Sequence, residues 1–263
     1  MPQGFSRRTL ALAVVFGLGL VTASQAADPV RVAAAADLKF ALDAVAVQFK
    51  VDTGRELSIT YGSSGNFARQ LLQDAPFEVF LSADEGFVFK LAEAGKTMDR
   101  GTLYAEGRVV LFAPHGSPLK PDERFADLKA ALADGRVQKF AIANPEHAPY
   151  GGAAEQALAA QGLWTAVQPM LVLGENVAQA AQFATTGSTQ GGIFAYSLAL
   201  SPEIGKLGTF ALIPASWHQS LRQRMVLMRN AGESAKALYA YMQTPPARAV
   251  LRTFGFVLPG EAP

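Results

Sequence analysis

The stretch Thr60–Gln70, TYGSSGNFARQ, joins the end of a predicted strand to the start of a helix. Residues 57–61 alternate as a half-buried strand does, and Phe67, Leu71 and Leu72 follow at helical spacing. Two serines and two glycines lie at the junction. A helix that begins directly after a strand leaves its first backbone N–H groups unpaired, and these can bind an anion. The same residues also suit a tight turn, so the rest of the chain must decide between the two interpretations.

The alternation of strand and helix patterns continues along the chain and predicts mainly parallel sheets covered by helices on both faces. The pattern breaks near Ala113 and returns near Met225. We therefore predict an α/β fold of two lobes joined by a two-strand hinge. Lobe 1 is discontinuous and comprises residues 27–112 and 225–263, and lobe 2 comprises residues 113–224. Ligands of such sheets bind beyond the carboxyl ends of the strands, in the crevice.

The first 26 residues have the features of a secretory signal peptide. Arg7 and Arg8 precede an apolar run from Leu10 to Val21, and small residues around Ala26 offer a cleavage site. The apolar run is too short to span a bilayer as a mature helix. We predict export to the periplasm, with an ordinary basic start favoured over a twin-arginine signal.

Composition excludes several functional classes. Cleavage after Ala26 leaves 21 basic and 22 acidic residues and a net charge of −1, which provides no electrostatic footprint for nucleic acid or for a membrane surface. The absence of cysteine excludes disulfides, thiolate metal sites and a lipid-anchoring cysteine. The spacing of His115, His147 and His218 does not suggest a site for a free metal cation. We expect no cofactor and a monomer.

Several predicted helices begin directly after strands, so their unpaired N–H groups could converge on one small anion between the lobes. One charge-assisted hydrogen bond contributes about 1.5–3 kcal/mol, and about five to eight donors are needed to offset the desolvation of a doubly charged ion. The junctions lack clustered Arg or Lys. The pattern therefore favours neutral donors.

The sequence resembles the periplasmic molybdate-binding proteins (ModA) of ABC importers along nearly the whole mature chain. The resemblance depends on the order and spacing of seven blocks, which are AAAADL at 33–38, YGSSGNFARQ at 61–70, APFEVFLSAD at 75–84, ANPEHAPYG at 143–151, LGENV at 173–177, GGIFAYS at 191–197 and RTFGFVLP at 252–259. It implies a two-lobe periplasmic-binding-protein fold that closes on molybdate or tungstate and delivers it to an inner-membrane permease. Molybdenum would enter only as the oxyanion.

The resemblance also implies five ligand positions, which fall here at or beside Asp37, Ser64, Tyr150, Val177 and Tyr196. Ser64 matches a family serine, and the backbone N–H groups of Tyr150 and Val177 can donate whatever their side chains. Two positions lack the family's hydroxyl. Asp37 stands in place of a serine, and Ala195 stands in place of a tyrosine, whose hydroxyl Tyr150 or the neighbouring Tyr196 could supply.

Asp37 is the most serious departure, because an ionised carboxylate offers only acceptors to an anion. It could cap its helix with the side chain turned away from the crevice. If it faces the crevice, either the ligand carries a proton, as hydrogen phosphate does, or Asp37 itself is protonated.

Three other functions remain open at this stage. One keeps the fold and binds a different, protonated oxyanion. A second is an enzyme on the same scaffold, but the sequence contains no G-x-S-x-G, H-E-x-x-H or P-loop motif, and we do not expect catalysis. The third is a signalling or scaffold protein that binds a partner without an ion. These residues could also have purely structural roles and no contact with a ligand. Ser63, Ser64 and Asn66 suit a turn or a helix cap, and His147 suits a hydrogen bond that fixes its loop.

Overall fold

The computed structural model describes Met1 and residues 28–261. The predicted signal peptide, apart from Met1, lies outside the described residues. Ten strands are described, namely β1 Val30–Ala35, β2 Leu57–Gly62, β3 Val79–Ser82, β4 Thr102–Gly107, β5 Val109–Pro114, β6 Phe140–Ala143, β7 Leu171–Gly174, β8 Gly191–Ala195, β9 Gly208–Leu212 and β10 Leu221–Leu227. The described helices are α1 Lys39–Thr53, α2 Ser64–Leu72, α3 Glu85–Glu93, α4 Ala126–Ala133, α5 Pro149–Ala160, α6 Trp164–Val167, α7 Val177–Thr185, α8 Tyr196–Ala199, α9 Pro202–Gly205, α10 Glu233–Tyr241 and α11 Pro245–Thr253. Three short 3-10 turns cover Ala36–Leu38, Gln168–Met170 and Ala215–Trp217.

The strands form two sheets with the same topology, which confirms the predicted two-lobe α/β fold. The strand order is β2-β1-β3-β10-β4 in the first sheet and β7-β6-β8-β5-β9 in the second. In each sheet β1 to β3, or β6 to β8, pair in parallel. The strand by which the chain enters from the other lobe, β10 or β5, pairs antiparallel with both of its neighbours. Both sheets are therefore mixed, with one reversed strand each.

The crossings between the lobes differ by a few residues from the predicted boundaries. β5 pairs with β8 and β9, so residues 109–112 belong to lobe 2 and the first crossing lies at Arg108. β10 pairs with β3 and β4 from Leu221 onward, so residues 221–224 belong to lobe 1. Both predicted boundaries fall inside strands, β5 and β10. The crossing strands are buried in the sheets that they enter, so their apolar residues do not mark where the chain changes lobe.

The lobes are closed on each other. The hydrophobic core of lobe 2 continues through Ala35, Ala36 and Ala83, which lie at the ends of β1 and β3 in lobe 1. The first sheet carries a separate core on each of its faces, one under α1, α10 and α11 and the other under α2 and α3. The carboxyl ends of β1, β2 and β3 therefore face lobe 2 across a narrow cleft.

Among the described residues, the helices are all too short or too polar to cross a bilayer.

Candidate anion-binding cleft

A small cavity lies where the two lobes meet. Its lobe 1 wall consists of the ends of β1, β2 and β3 and the start of α2, and its lobe 2 wall consists of the starts of α5 and α7. The space between its walls, part of it open to solvent, is about 180 Å³. It is lined by four of the five predicted ligand residues, namely Asp37, Ser64, Tyr150 and Val177. The lining is otherwise made of small residues and one proline, which keep the backbone close to the cavity.

The starts of three helices line this cavity. Ser64 is the first residue of α2, Tyr150 the second of α5 and Val177 the first of α7. Within the described residues, none of these three N–H groups has a hydrogen-bond acceptor. The side chains of the capping residues bond to amides further along, since Ser63 accepts from Asn66 and Asn176 accepts from Ala178 and Gln179. The first amides therefore remain available to an anion.

The Ser64 hydroxyl is held in place from lobe 1. Ser64 is fully buried, and its Oγ accepts a hydrogen bond of 2.9 Å from the Ala83 N–H at the end of β3. Because that bond uses a lone pair, the O–H proton is left to donate. Ser64 can therefore contribute a hydroxyl and a backbone N–H to the same ligand.

The carboxylate of Asp37 lies between the lobes and does not cap a helix. It belongs to the 3-10 turn Ala36–Leu38, and neither this turn nor α1 has a side-chain cap. Its Oδ2 accepts from the Tyr150 hydroxyl at 2.9 Å and from the Gln223 Nε2 at 2.6 Å. The helix-capping interpretation of Asp37 is therefore wrong, because donors from α5 and β10 take the carboxylate instead.

The other oxygen of Asp37 has no partner. The residue is 1% exposed, and its Oδ1 is buried without a hydrogen bond from any described residue. Burial raises the pKa of Asp37 to about 6, although the hydrogen bonds from Gln223 and Tyr150 oppose the rise. A carboxyl with this pKa exchanges a proton near neutral pH.

Two further residues complete the support of Asp37, and the sequence patterns did not single them out. The Tyr104 hydroxyl donates to the Gln223 Oε1 at 2.6 Å, and the Ser197 hydroxyl donates to the Asp37 carbonyl at 2.8 Å. Gln223 itself was also missed. Gln223 is a polar residue on the buried face of β10, between Leu221 and Met225, and this unusual placement is the signal that could have identified it. The sequence pattern did not reveal it, because the apolar run of this strand begins only at Met225.

Tyr150 owes its position to α5, which begins at Pro149 inside the block 143–151. Proline suits the first turn of a helix because it lacks an N–H that would have no partner there. Gly151 lets this turn approach β6, since a Cβ at that position would lie 2.2 Å from the Ala143 carbonyl oxygen.

The structure does not bring Tyr196 to the cavity. Tyr196 begins α8, and its ring packs edge-on against Phe210, with centroids 5.9 Å apart. It also contacts the backbone near Gly255, where a Cβ would lie 2.6 Å from the ring. Ala195 is buried at the end of β8. The Tyr150 hydroxyl is committed to Asp37 and accepts from Gln223, so neither tyrosine replaces the family's hydroxyl as a free donor.

His147, next to the cavity residue Ala148, joins the two lobes. Its carbonyl accepts from the Gly65 N–H at 2.9 Å, and its Nδ1 lies 3.1 Å from the Ser63 hydroxyl. Both contacts cross from lobe 2 to lobe 1. His147 therefore fixes the closed arrangement, which extends its predicted loop-fixing role across the cleft. No group of three or more His, Asp or Glu in the described ranges is arranged to hold a metal ion.

Comparison with known proteins gives one consistent family. The family model described as bacterial extracellular solute-binding protein matches residues 30–257. The molybdate-binding protein ModA of Rhodobacter capsulatus is 34% identical over 259 residues, which cover 97% of this chain and 98% of that protein. ModA of Azotobacter vinelandii is 36% identical over 252 residues, which cover 94% and 97%.

The fold agrees with the sequence relationship. The structure of the Azotobacter vinelandii periplasmic molybdate-binding protein superposes with a TM-score of 0.79 at 30% identity, covering 88% of this chain and 99% of that one. The two lobes, the reversed crossing strands and the cleft between them are thus the architecture of a solute-binding protein. The chain belongs to the bacterial extracellular solute-binding protein family.

Proposed function

We propose that this protein captures molybdate, or the similar tungstate ion, in the periplasm and delivers it to the permease of an ABC importer. The observation that carries the proposal is that Ser64 and two other helix-start residues, all three with unpaired amides, line one small cavity between the lobes. Near full-length similarity to proteins named for molybdate binding supports the choice of ion.

Capture proceeds by closure of the lobes about the crossings at Arg108 and between β9 and β10. In the open form, water hydrates the helix starts and the ion enters freely. Closure brings the amides of Tyr150 and Val177 in lobe 2 to an ion already held by Ser64 in lobe 1. Each charge-assisted hydrogen bond then contributes about 1.5–3 kcal/mol toward the lost hydration. The closed form is the one that the permease recognises.

Neutral donors suit a carrier that must release its cargo. A lysine or arginine in the cavity would hold the ion by its positive charge. Dissolved salt screens a buried charge pair only weakly, so this attraction would persist. Amides and hydroxyls act only at hydrogen-bond distance, so a small opening of the lobes weakens all of them together. Binding and release are therefore governed by the closure itself.

Titration calorimetry with molybdate, tungstate, sulfate, chromate and phosphate tests the proposal. We expect molybdate and tungstate to bind at low micromolar concentration or below, and sulfate to bind more weakly because the smaller ion cannot reach all donors at once. The variant Ser64→Ala should weaken molybdate binding about tenfold or more, since it removes a buried donor to a charged ligand. No heat from molybdate, with a folded protein by circular dichroism, would reject the choice of ion.

A protonated oxyanion is the second candidate, and the unpaired Oδ1 of Asp37 favours it. Hydrogen phosphate carries its own O–H and could donate to this oxygen while Asp37 stays ionised. Phosphate binding stronger than molybdate binding in the same panel would identify this function. Transport requires no catalytic group, and the proposal assigns none.

A further inference from the structure

The unpaired oxygen of Asp37 creates a charge problem that the transport proposal alone does not solve. Asp37 lines the cavity, is 1% exposed, and leaves Oδ1 without a donor from any described residue. A molybdate dianion in the same cavity brings only further acceptor oxygens. Two sets of unprotonated oxygens at contact distance repel each other strongly where water is excluded.

The groups around Asp37 do not supply a neutralising cation. Tyr150 from α5 and Gln223 from β10 donate to Oδ2, Tyr104 from β4 binds Gln223, and Ser197 from α8 binds the Asp37 carbonyl. All four are neutral, because burial raises the pKa values of both tyrosines well above the usual value. On the following helix, the Lys39 ammonium pairs with Asp43 at 2.8 Å and is about half exposed.

Two other titratable side chains lie next in the chain to residues that line the cavity. His147 lies between Ser63 and Glu175, with its Nε2 3.6 Å from the Glu175 carboxylate. Asp84 begins α3, where its carboxylate accepts from the Gly86 N–H. Neither group makes a hydrogen bond to Asp37.

We infer that Asp37 takes up one proton from solvent when the oxyanion enters, and that the neutral carboxyl then donates from Oδ1 to an oxygen of the ion. The inference rests on the proposed function and makes Asp37 a proton-coupled ligand residue. The proton converts a repulsive contact into a hydrogen bond. Oδ2 keeps its two donors throughout, so only the unpaired oxygen changes its role.

The direction of the pH dependence follows from this uptake. Burial already raises the pKa of Asp37 to about 6 in the closed protein, and an adjacent dianion raises it further. Binding that takes up a proton weakens as the pH rises. Between the pKa values of the free and loaded protein, the dissociation constant for molybdate should rise by up to about tenfold per pH unit.

Calorimetry with sodium molybdate tests the inference, because molybdate is a full dianion at neutral and alkaline pH and cannot itself provide the proton. Titrations at one pH near neutrality, in buffers of different ionisation enthalpy, give the number of protons taken up. We expect a value approaching one for the natural protein. We expect about zero for Asp37→Asn, whose amide donates at every pH and whose oxygen still accepts from Tyr150 and Gln223.

His147→Gln is the matched control, since it removes the imidazole that contacts Ser63 across the lobes and leaves Asp37 in place. Proton uptake should persist in this variant whatever its affinity. Asp37→Ser provides a second test if the asparagine variant does not fold, and its binding should likewise be independent of pH.

The possible failures are distinguishable. Tight molybdate binding by the natural protein without proton uptake would overturn the inference and leave the transport proposal standing. Uptake that persists in folded Asp37→Asn would also overturn it. Failure of the natural protein and of Asp37→Asn to bind molybdate at any pH would overturn the proposed function, and the inference with it.

Discussion

Gly65→Ala should weaken ligand binding while leaving the lobes themselves folded. Gly65 lies in the first turn of α2, where its N–H donates to the His147 carbonyl of the opposite lobe at 2.9 Å. A Cβ at this position would lie 2.7 Å from that oxygen and 3.0 Å from the Cα and Cβ of His147. The first contact is closer than real Cβ atoms approach, and the obstructing atom is backbone that cannot rotate away. The closed lobes must therefore separate slightly.

The magnitude follows from what this separation costs. The bond between Gly65 and His147 is lost or stretched, which costs about 1 kcal/mol, and the overpacked contact adds about 1–3 kcal/mol. The open form has no such contact. Together these terms weaken binding by about 2–4 kcal/mol, or about thirty- to seven-hundredfold in the dissociation constant. The same change should leave the unfolding free energy equal or slightly higher, because alanine is favoured over glycine in a helix by about 0.5–1 kcal/mol.

Calorimetry with molybdate measures the affinity, small-angle scattering measures compaction on binding, and urea denaturation measures stability. Gly152→Ala is the control, since it also places a methyl group on a helix start beside the cleft but meets no atom within 4 Å. Gly152→Ala should bind as the natural protein does. If Gly65→Ala binds molybdate with unchanged affinity and compacts fully, the contact between Gly65 and His147 does not govern closure.

Two other predictions concern the network around Asp37. Tyr150→Phe removes a hydroxyl that bonds to both Asp37 and Gln223, and it should weaken molybdate binding by about 1–2 kcal/mol. Tyr196→Phe should change the affinity by less than about twofold, because Tyr196 packs against Phe210 away from the cavity. Equal losses of affinity in calorimetry would contradict this placement of Tyr196. Because burial raises the pKa of Asp37 from 3.8 to about 6, the ligand-free protein should lose stability as the pH rises through this range, by about 3 kcal/mol in total. The gain in unfolding free energy of Asp37→Asn over the natural protein should therefore be about 2.4 kcal/mol larger at pH 7 than at pH 4. A gain of equal size at both pH values in urea denaturation would show that Asp37 is not desolvated.

The sequence predicts the anion cleft to the extent that the cleft depends on local signals. Strand patterns followed by helix starts place Ser64 and Val177 at the carboxyl ends of parallel strands, and such ends meet at one edge of a sheet. The fold follows from the same alternation. Tyr150 lines the cavity, but the two glycines that follow it are poor helix formers and gave no signal for the start of α5 at Pro149.

Long-range partners could not be read from these signals. Gln223 is 186 residues from Asp37 and reaches it only because β10 returns from lobe 2 between β3 and β4. Tyr104 lies on β4, which the sequence patterns did not indicate as a strand. β4 and β9 are edge strands, so they carry mixed residues and lack the apolar run of a central strand.

A one-residue offset explains the failure of Tyr196 to reach the cavity. β8 ends at Ala195, and the chain turns into α8 at the next residue. Side chains on the two sides of such a junction point in different directions, so the hydroxyl of Tyr196 cannot take the place expected at position 195. That Tyr196 follows Ala195 in the chain therefore does not indicate where its side chain points.

The departures at positions 37 and 195 have a common physical consequence. Relative to the ligand positions that the resemblance implies, this chain lacks two hydroxyl donors, and Tyr150 cannot replace them because its own proton is used by Asp37. The free amides and Ser64 therefore face a dianion with a carboxylate beside them, and an ionised Asp37 would oppose every donor that remains. A neutral Asp37 reverses this balance, because its O–H can donate to the ion, whereas the ionised carboxylate can only accept. The hydrogen bonds from Tyr150 and Gln223 to Oδ2 keep the carboxyl oriented, so the proton has only Oδ1 to occupy. The aspartate thus acts as a serine equivalent whose availability depends on pH, and an affinity for molybdate that does not change between neutral and alkaline pH would contradict this role.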